Sequence, residues 1–89
     1  MLKIIQSNRF KRDYKRVMKR GLDGGKLSVI LNYLSESKIL PARCRPHRLS
    51  GNYAGFWECH IEPDWLLIYD LQTNLLELVA TGSHADLFE

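Results

Sequence analysis

From Gly51 to its last residue the chain contains no lysine or arginine, although thirteen occur in its 89 residues. All of them lie at or before Arg48, opposed there only by Asp13, Asp23 and Glu36. The other seven carboxylates, Glu58, Glu62, Asp64, Asp70, Glu77, Asp86 and Glu89, fill the second half. A cationic recognition surface therefore cannot be built from the second half. The surplus in the first half is what a polyanion-binding surface needs, because each phosphate neutralised by a basic side chain releases counterions. A basic face kept for solubility gives the same count.

Long apolar runs are also missing. Nothing approaches the ~20 residues of a membrane span, and Met-Leu-Lys-Ile-Ile at the start is too short for a signal peptide, so a cytoplasmic chain with no membrane association is expected. The two cysteines, Cys44 and Cys59, form neither a disulfide framework nor a zinc-ribbon spacing, and reduced thiols are expected. A zinc site from Cys44, His47, Cys59 and His60 fails because adjacent strand residues 59 and 60 point to opposite faces. There is no glycine-rich phosphate loop or dinucleotide fingerprint. Thr81-Gly82-Ser83-His84 lacks the strand–elbow–helix context of a hydrolase nucleophile and reads as a turn.

What is present fits one domain spanning residues 1–89, large enough to bury roughly 60% of its unfolded surface. Leu2 to Ile5 suggests a short strand, with Ser7 or Asn8 capping a helix. Phe10, Tyr14, Val17 and Met18 make one apolar stripe on that helix, and Arg9, Lys11, Arg12, Lys15, Arg16, Lys19 and Arg20 occupy the rest. Gly21 ends it, Asp23-Gly24-Gly25 is expected to form the turn, and Leu27, Ile30, Leu31 and Leu34 mark a second helix ending near Ser37 or Lys38. The two helices should form a hairpin. Leu40 to Asn52 loses periodicity at Pro41, Pro46 and Gly51 and reads as a basic loop carrying Arg43, Arg45, His47 and Arg48. Strands are expected at Tyr53–Glu62, Trp65–Leu71 and Leu75–Thr81. The fold class is α+β, with two N-terminal helices packed on one face of an antiparallel sheet and the other face left available.

Only three histidines occur: His47 in the basic loop, His60 ahead of the Glu62-Pro63-Asp64 hairpin, and His84 after the last strand. Alternation puts His60 with Phe56 and Glu58, opposite Tyr53, Trp57 and Cys59. Imidazole, with an ordinary pKa near ~6.5, serves as base or acid at neutral pH, although a lone histidine is more often a surface or core residue. Trp57 and Trp65 have the chemistry to stack on bases, although buried aromatics at this spacing are more often core.

Three stretches carry a family resemblance: Pro46-His47-Arg48-Leu49-Ser50-Gly51, Gly55-Phe56-Trp57-Glu58-Cys59-His60-Ile61-Glu62-Pro63-Asp64-Trp65-Leu66-Leu67-Ile68-Tyr69, and Thr81-Gly82-Ser83-His84-Ala85-Asp86-Leu87-Phe88. On them the chain resembles the YafQ branch of the RelE/ParE superfamily of toxins. The resemblance implies a RelE-like fold and a toxin that cleaves mRNA in the ribosomal A site. It also implies a cognate antitoxin that wraps the toxin, and operator DNA bound mainly through the antitoxin. His47, His60, Asp64 and His84 match the family's catalytic positions, and Trp65 and Phe88 match supporting positions. RNA supplies its own 2′-hydroxyl nucleophile, so the reaction needs a base, an acid and positive charge, and no metal or cofactor is expected.

On this reading His84 protonates the leaving group, His60 is on the base side, Asp64 orients an imidazole or shares the base role, and His47 contacts phosphate. Arg43, Arg45, Arg48, Lys11, Lys15 and Lys19 contact substrate or ribosomal phosphates. The family places an arginine where this chain has Ala80, and loss of such a donor costs on the order of 10²–10³ in rate. Either Ala80 is an engineered attenuation, the favoured explanation, or a side chain such as Arg43, Arg45 or Arg48 takes over. Ala80→Arg is expected to raise activity. Two other classes stay open: a non-catalytic RNA-binding or antitoxin-binding module, and a gyrase-directed toxin, against which the histidine and aspartate set argues.

Overall fold

The computed structural model describes all residues 1–89. Its elements are β1 (Lys3–Gln6), α1 (Asn8–Lys19), α2 (Gly24–Ser35), a 3₁₀ turn at Ala42–Cys44, β2 (His47–Arg48), a second 3₁₀ turn at Gly51–Tyr53, β3 (Trp57–Glu62), β4 (Trp65–Gln72), β5 (Leu75–Gly82) and α3 (His84–Phe88). The sheet order is β1-β5-β4-β3-β2. The expected α+β class holds.

The hydroxyl of Ser7 starts α1 by accepting from the Phe10 N–H at 3.0 Å and donating to the Val79 carbonyl at 2.8 Å, which pins the helix to β5 as it begins. Gly21 ends α1 at φ +88°, a conformation costly for residues with a Cβ. The Asp23 side chain caps α2 through the Gly25 N–H at 2.8 Å. Gly24 and Gly25 are therefore the first turn of α2 rather than the inter-helix turn expected from their composition. That helix stops at Ser35, ahead of Ser37 in the left-handed region.

Phe10 and Val17 of α1 and Leu27, Ile30 and Leu34 of α2 pack with Cys59, Trp65, Leu67, Tyr69, Leu76 and Leu78 of the sheet. Asp13 lies in the apolar stripe and is buried. Its carboxylate accepts from the buried Thr81 N–H at 3.1 Å, and Arg9 and Arg16 balance its charge at 3.5 and 3.1 Å. Asp13 thus bolts α1 to the end of β5.

Four further expectations change. The sheet is mixed, because β1 pairs with β5 in parallel. Both long helices and β2 to β4 lie between these strands in sequence, and so long a connection lets the chain re-enter in the same direction. The basic loop contains β2, which pairs His47 with Glu58 and Arg48 with Trp57. The strand expected from Tyr53 begins at Trp57, with Tyr53 in the preceding 3₁₀ turn. The second face of the sheet is partly covered: Leu66, Ile68, Ala80 and Leu87 form a smaller core under Leu49, Tyr53, Phe56 and Val79. Tyr53 thus joins the side of Phe56, because alternation does not extend through a turn.

Candidate active site

The second face presents the histidines at its rim. Along β3, Cys59 is buried among the helix-side residues, while Glu58 and His60 belong to the opposite face. Register aligns His47, Glu58, Ile68 and Ala80 across β2 to β5, and His60, Leu66 and Gly82 in the adjacent row. His60 and Gly82 are thus two strand spacings apart, about 10 Å, with β4 between them. An irregularity between His60 and Glu62 interrupts the β3–β4 ladder, as bulges beside functional sites often do.

The ring of His60 has Nδ1 at 3.2 Å from the Pro63 carbonyl and Nε2 at 3.4 Å from the Arg45 guanidinium. A carbonyl only accepts, so Nδ1 carries the hydrogen and Nε2 presents its lone pair. His47 has Nδ1 at 2.9 Å from the Arg45 carbonyl and Nε2 at 3.2 Å from Glu58 Oε1. Both partners accept, so the ring is fully paired when both nitrogens carry hydrogen. Glu58, buried at 6% exposure, was missed as a site residue; its place on the His60 face was the available signal.

His84 is the first residue of α3, which corrects the expectation of a turn over Thr81–His84. Ser83 is the N-cap: its hydroxyl accepts from the Asp86 N–H at 3.1 Å, and the Asp86 carboxylate accepts from the Ser83 N–H at 2.9 Å. A capping box explains this short helix, and it occupies the hydroxyl. Gly82 is required beneath it, since a Cβ there would lie 2.7 Å from the Asp86 carboxylate. Arg20 grips Asp86 with two hydrogen bonds, holding α3 to the end of α1. This pairing lowers the Asp86 carboxyl well below the ordinary range and raises the guanidinium of Arg20.

Asp64 Oδ1 accepts from the His84 backbone N–H at 2.9 Å. It therefore holds His84 through the main chain rather than through the imidazole. The His84 ring is exposed and packs against Phe88 at 4.9 Å between centroids. Phe88 meets Tyr53 edge-on at 5.5 Å, and the Tyr53 hydroxyl accepts from Arg9 at 2.7 Å and donates to the Leu87 carbonyl at 3.2 Å.

Other expected site residues divide by location. Trp65 is 1% exposed, with its indole N–H bonded to the Thr81 hydroxyl at 2.9 Å, so substrate stacking is corrected to support of the β4–β5 junction. Ala80 has no exposed surface. It lies in the floor between Ile68 and Leu87, where an arginine must displace packed neighbours at about 1–3 kcal/mol. Arg43 and Arg45 line a cleft of about 310 Å³ with His60, Ile61, Glu62 and Pro63. Arg48 instead lies over the Trp57 ring at 5.1 Å. Lys11, Lys15 and Lys19 are exposed on the side of α1 away from Phe10 and Val17, so they form an outer basic face instead of lining the gap by His60. Cys44 and Cys59 are free, buried thiols, and burial pushes Cys59 up to about 12.

The geometry agrees with known proteins over the full fold. Residues 2–89 match the family described as "Bacterial toxin of type II toxin-antitoxin system, YafQ". The chain is 40% identical over 86 residues to the mRNA interferase toxin YafQ of Escherichia coli K12, covering 96% of this chain and 94% of that protein. The crystal structure of YafQ from E. coli BL21(DE3) superposes with a TM-score of 0.93 at 37% identity, covering 100% of both chains. In the E. coli DinJ–YafQ toxin–antitoxin complex, the matching chain gives a TM-score of 0.90 at 38% identity, with 99% of this chain and 98% of that one covered. The fold, the residues around the β4 gap and these likenesses place the chain in the YafQ family of type II toxin–antitoxin toxins.

Proposed function

We propose that this chain is an endoribonuclease that cuts mRNA in the ribosomal A site, acting in the cytoplasm as the toxin partner of a cognate antitoxin. The observation that carries the proposal is the pair of imidazoles flanking β4: His60 with its Nε2 lone pair turned toward the cleft, and His84 with its backbone held by Asp64 and its exposed ring packed on Phe88.

A phosphodiester seated across the gap places its ribose 2′-hydroxyl toward His60 and its leaving 5′-oxygen toward His84. Nε2 of His60 takes the hydroxyl proton as the bond from O2′ to phosphorus forms. Protonated His84 supplies a proton to O5′ as the phosphorus–O5′ bond breaks. The products are a 2′,3′-cyclic phosphate and a 5′-hydroxyl, and proton exchange with water resets both rings. His47, placed by Glu58 and the Arg45 carbonyl, serves as a donor to the phosphate by exchanging its Nε2 contact with Glu58 for a phosphate oxygen when substrate binds. Base, acid and donor come from side chains, so the mechanism calls for no metal or cofactor. Trp65 acts indirectly through Thr81, and Phe88 through His84.

Outside the gap, Lys11, Lys15 and Lys19 contact ribosomal or message phosphates, an interaction that weakens steeply with salt. The DinJ–YafQ complex supports an antitoxin partner of the same kind. Operator DNA, on this proposal, is engaged only through that antitoxin. No helix is long and apolar enough to cross a membrane. Buried Ala80 favours a second reading, a non-catalytic RNA-binding or antitoxin-binding module.

Cleavage of an mRNA on programmed ribosomes tests the proposal, with chelator limited so that the ribosomes stay intact. The chain is expected to cut within the A-site codon. Salt-dependent binding with no cut by the chain or by Ala80→Arg supports the module instead. Topoisomerase inhibition with intact message points to a gyrase-directed toxin.

A further inference from the structure

We infer that Arg45 is the cation this chain sets against the scissile phosphate, an assignment that rests on the nuclease reading above. Half of the other twelve cations are committed elsewhere. Arg9 and Arg16 balance Asp13, Arg20 holds Asp86, Lys26 holds Glu62, Lys38 holds Glu36, and Arg48 covers Trp57. Arg43 and Arg45 face the cleft beside His60, whose one carboxylate, Glu62, is paired with Lys26 at 2.7 Å. The cleft is therefore electropositive. The Arg45 guanidinium lies 3.4 Å from Nε2 of His60, the atom assigned to receive the 2′-hydroxyl proton.

The backbone supports the same assignment. Arg45 has φ +45° and ψ +56°, in the left-handed region that suits glycine or asparagine better than arginine. Its N–H donates to the Ala42 carbonyl at 3.0 Å and its carbonyl accepts from His47 Nδ1 at 2.9 Å, while the preceding Cys44 is buried. One residue thus fixes the His47 ring with its main chain and reaches His60 with its side chain. Strained residues of this kind persist where surrounding structure holds them, and they cluster at functional sites.

A guanidinium presents a planar fork of donors suited to two non-bridging phosphate oxygens. Negative charge grows on those oxygens as O2′ bonds to phosphorus, so a donor aimed there acts mainly on the transition state. The loop supplies this charge where β5 carries Ala80, which makes Ala80 compatible with an active natural chain.

The test compares the parent with Arg45→Gly, Arg45→Asn and Arg45→Lys. Glycine and asparagine remove the charge and accept the left-handed backbone, so both should melt at or near the parent's temperature. Single-turnover cleavage on programmed ribosomes should fall on the order of 10²–10³-fold in both, with lysine recovering part of the loss. Binding of a message carrying a 2′-deoxy nucleotide at the scissile position should change less than about tenfold. If the parent cuts and the folded Gly and Asn variants cut within about threefold of it, the Arg45 assignment is overturned and the nuclease reading stands. If the parent binds message without cutting it, both fall.

Discussion

The two faces of the sheet use polar side chains in opposite ways. On the helix side, Asp13, Thr81 and the Trp65 indole are buried and joined to one another or to backbone. On the histidine side, the His84 ring is exposed and makes its recorded contact by packing on Phe88, while the Nε2 atom of His60 meets the cleft and an exposed guanidinium. Adjacent residues separate the roles: Cys59 belongs to the core and His60 to the site, and Thr81 fixes the strand from which Gly82 leads to His84. One face fixes the geometry that the other uses, and a change confined to either face should show which property it controls.

The sharpest break in that comparison is expected at His84. Its imidazole makes no recorded hydrogen bond, so His84→Ala should lower single-turnover cleavage by about 10²-fold or more while the melting temperature barely moves. Unchanged cleavage removes His84 from the mechanism. Asp13→Ala should do the reverse. It strands the buried Thr81 N–H and removes the charge between Arg9 and Arg16, costing about 2–4 kcal/mol in denaturant unfolding. Cleavage per folded molecule should fall much less than in His84→Ala.

A smaller effect is expected where the faces meet at the end of α1. Because folding lowers the carboxyl of Asp86, its pairing stabilises the protein above the ordinary aspartate range, and that contribution declines as pH falls through and below about 4. The stability difference between parent and Asp86→Asn should therefore be present at neutral pH and narrow on acidification; a difference independent of pH contradicts this assignment. The smallest perturbation is thiol labelling. With Cys59 buried and its thiol raised to about 12, a disulfide reagent at mildly alkaline pH should react slowly with native protein and rapidly after unfolding. Equal native and unfolded rates contradict the packing of the helix face.

Periodicity was enough to place the main elements because apolar spacing tracks burial: Phe10 and Val17 on α1, Leu27, Ile30 and Leu34 on α2, and the apolar residues of β4. It did not reveal Asp13, whose burial depends on an N–H from Thr81, 68 residues away. Nor did it reveal β2, whose two residues are too few to show alternation, or α3, whose five residues depend on capping. The histidines stood out because they are so few. Their partners arise from cross-strand register and turns: Glu58 opposite His47, Pro63 beneath His60, and Asp64 at the His84 backbone. Family pattern pointed to Trp65 as a supporting residue, while only the fold shows that its support runs through a buried hydroxyl.

The most direct test of the central claim is cleavage on programmed ribosomes of two messages that differ only by a 2′-deoxy nucleotide at the scissile position. The proposed chemistry predicts that the all-ribose message is cut to leave a 2′,3′-cyclic phosphate, and that the deoxy message binds but remains whole. Equal cutting of both would contradict attack by the 2′-hydroxyl and, with it, the roles given to His60 and His84.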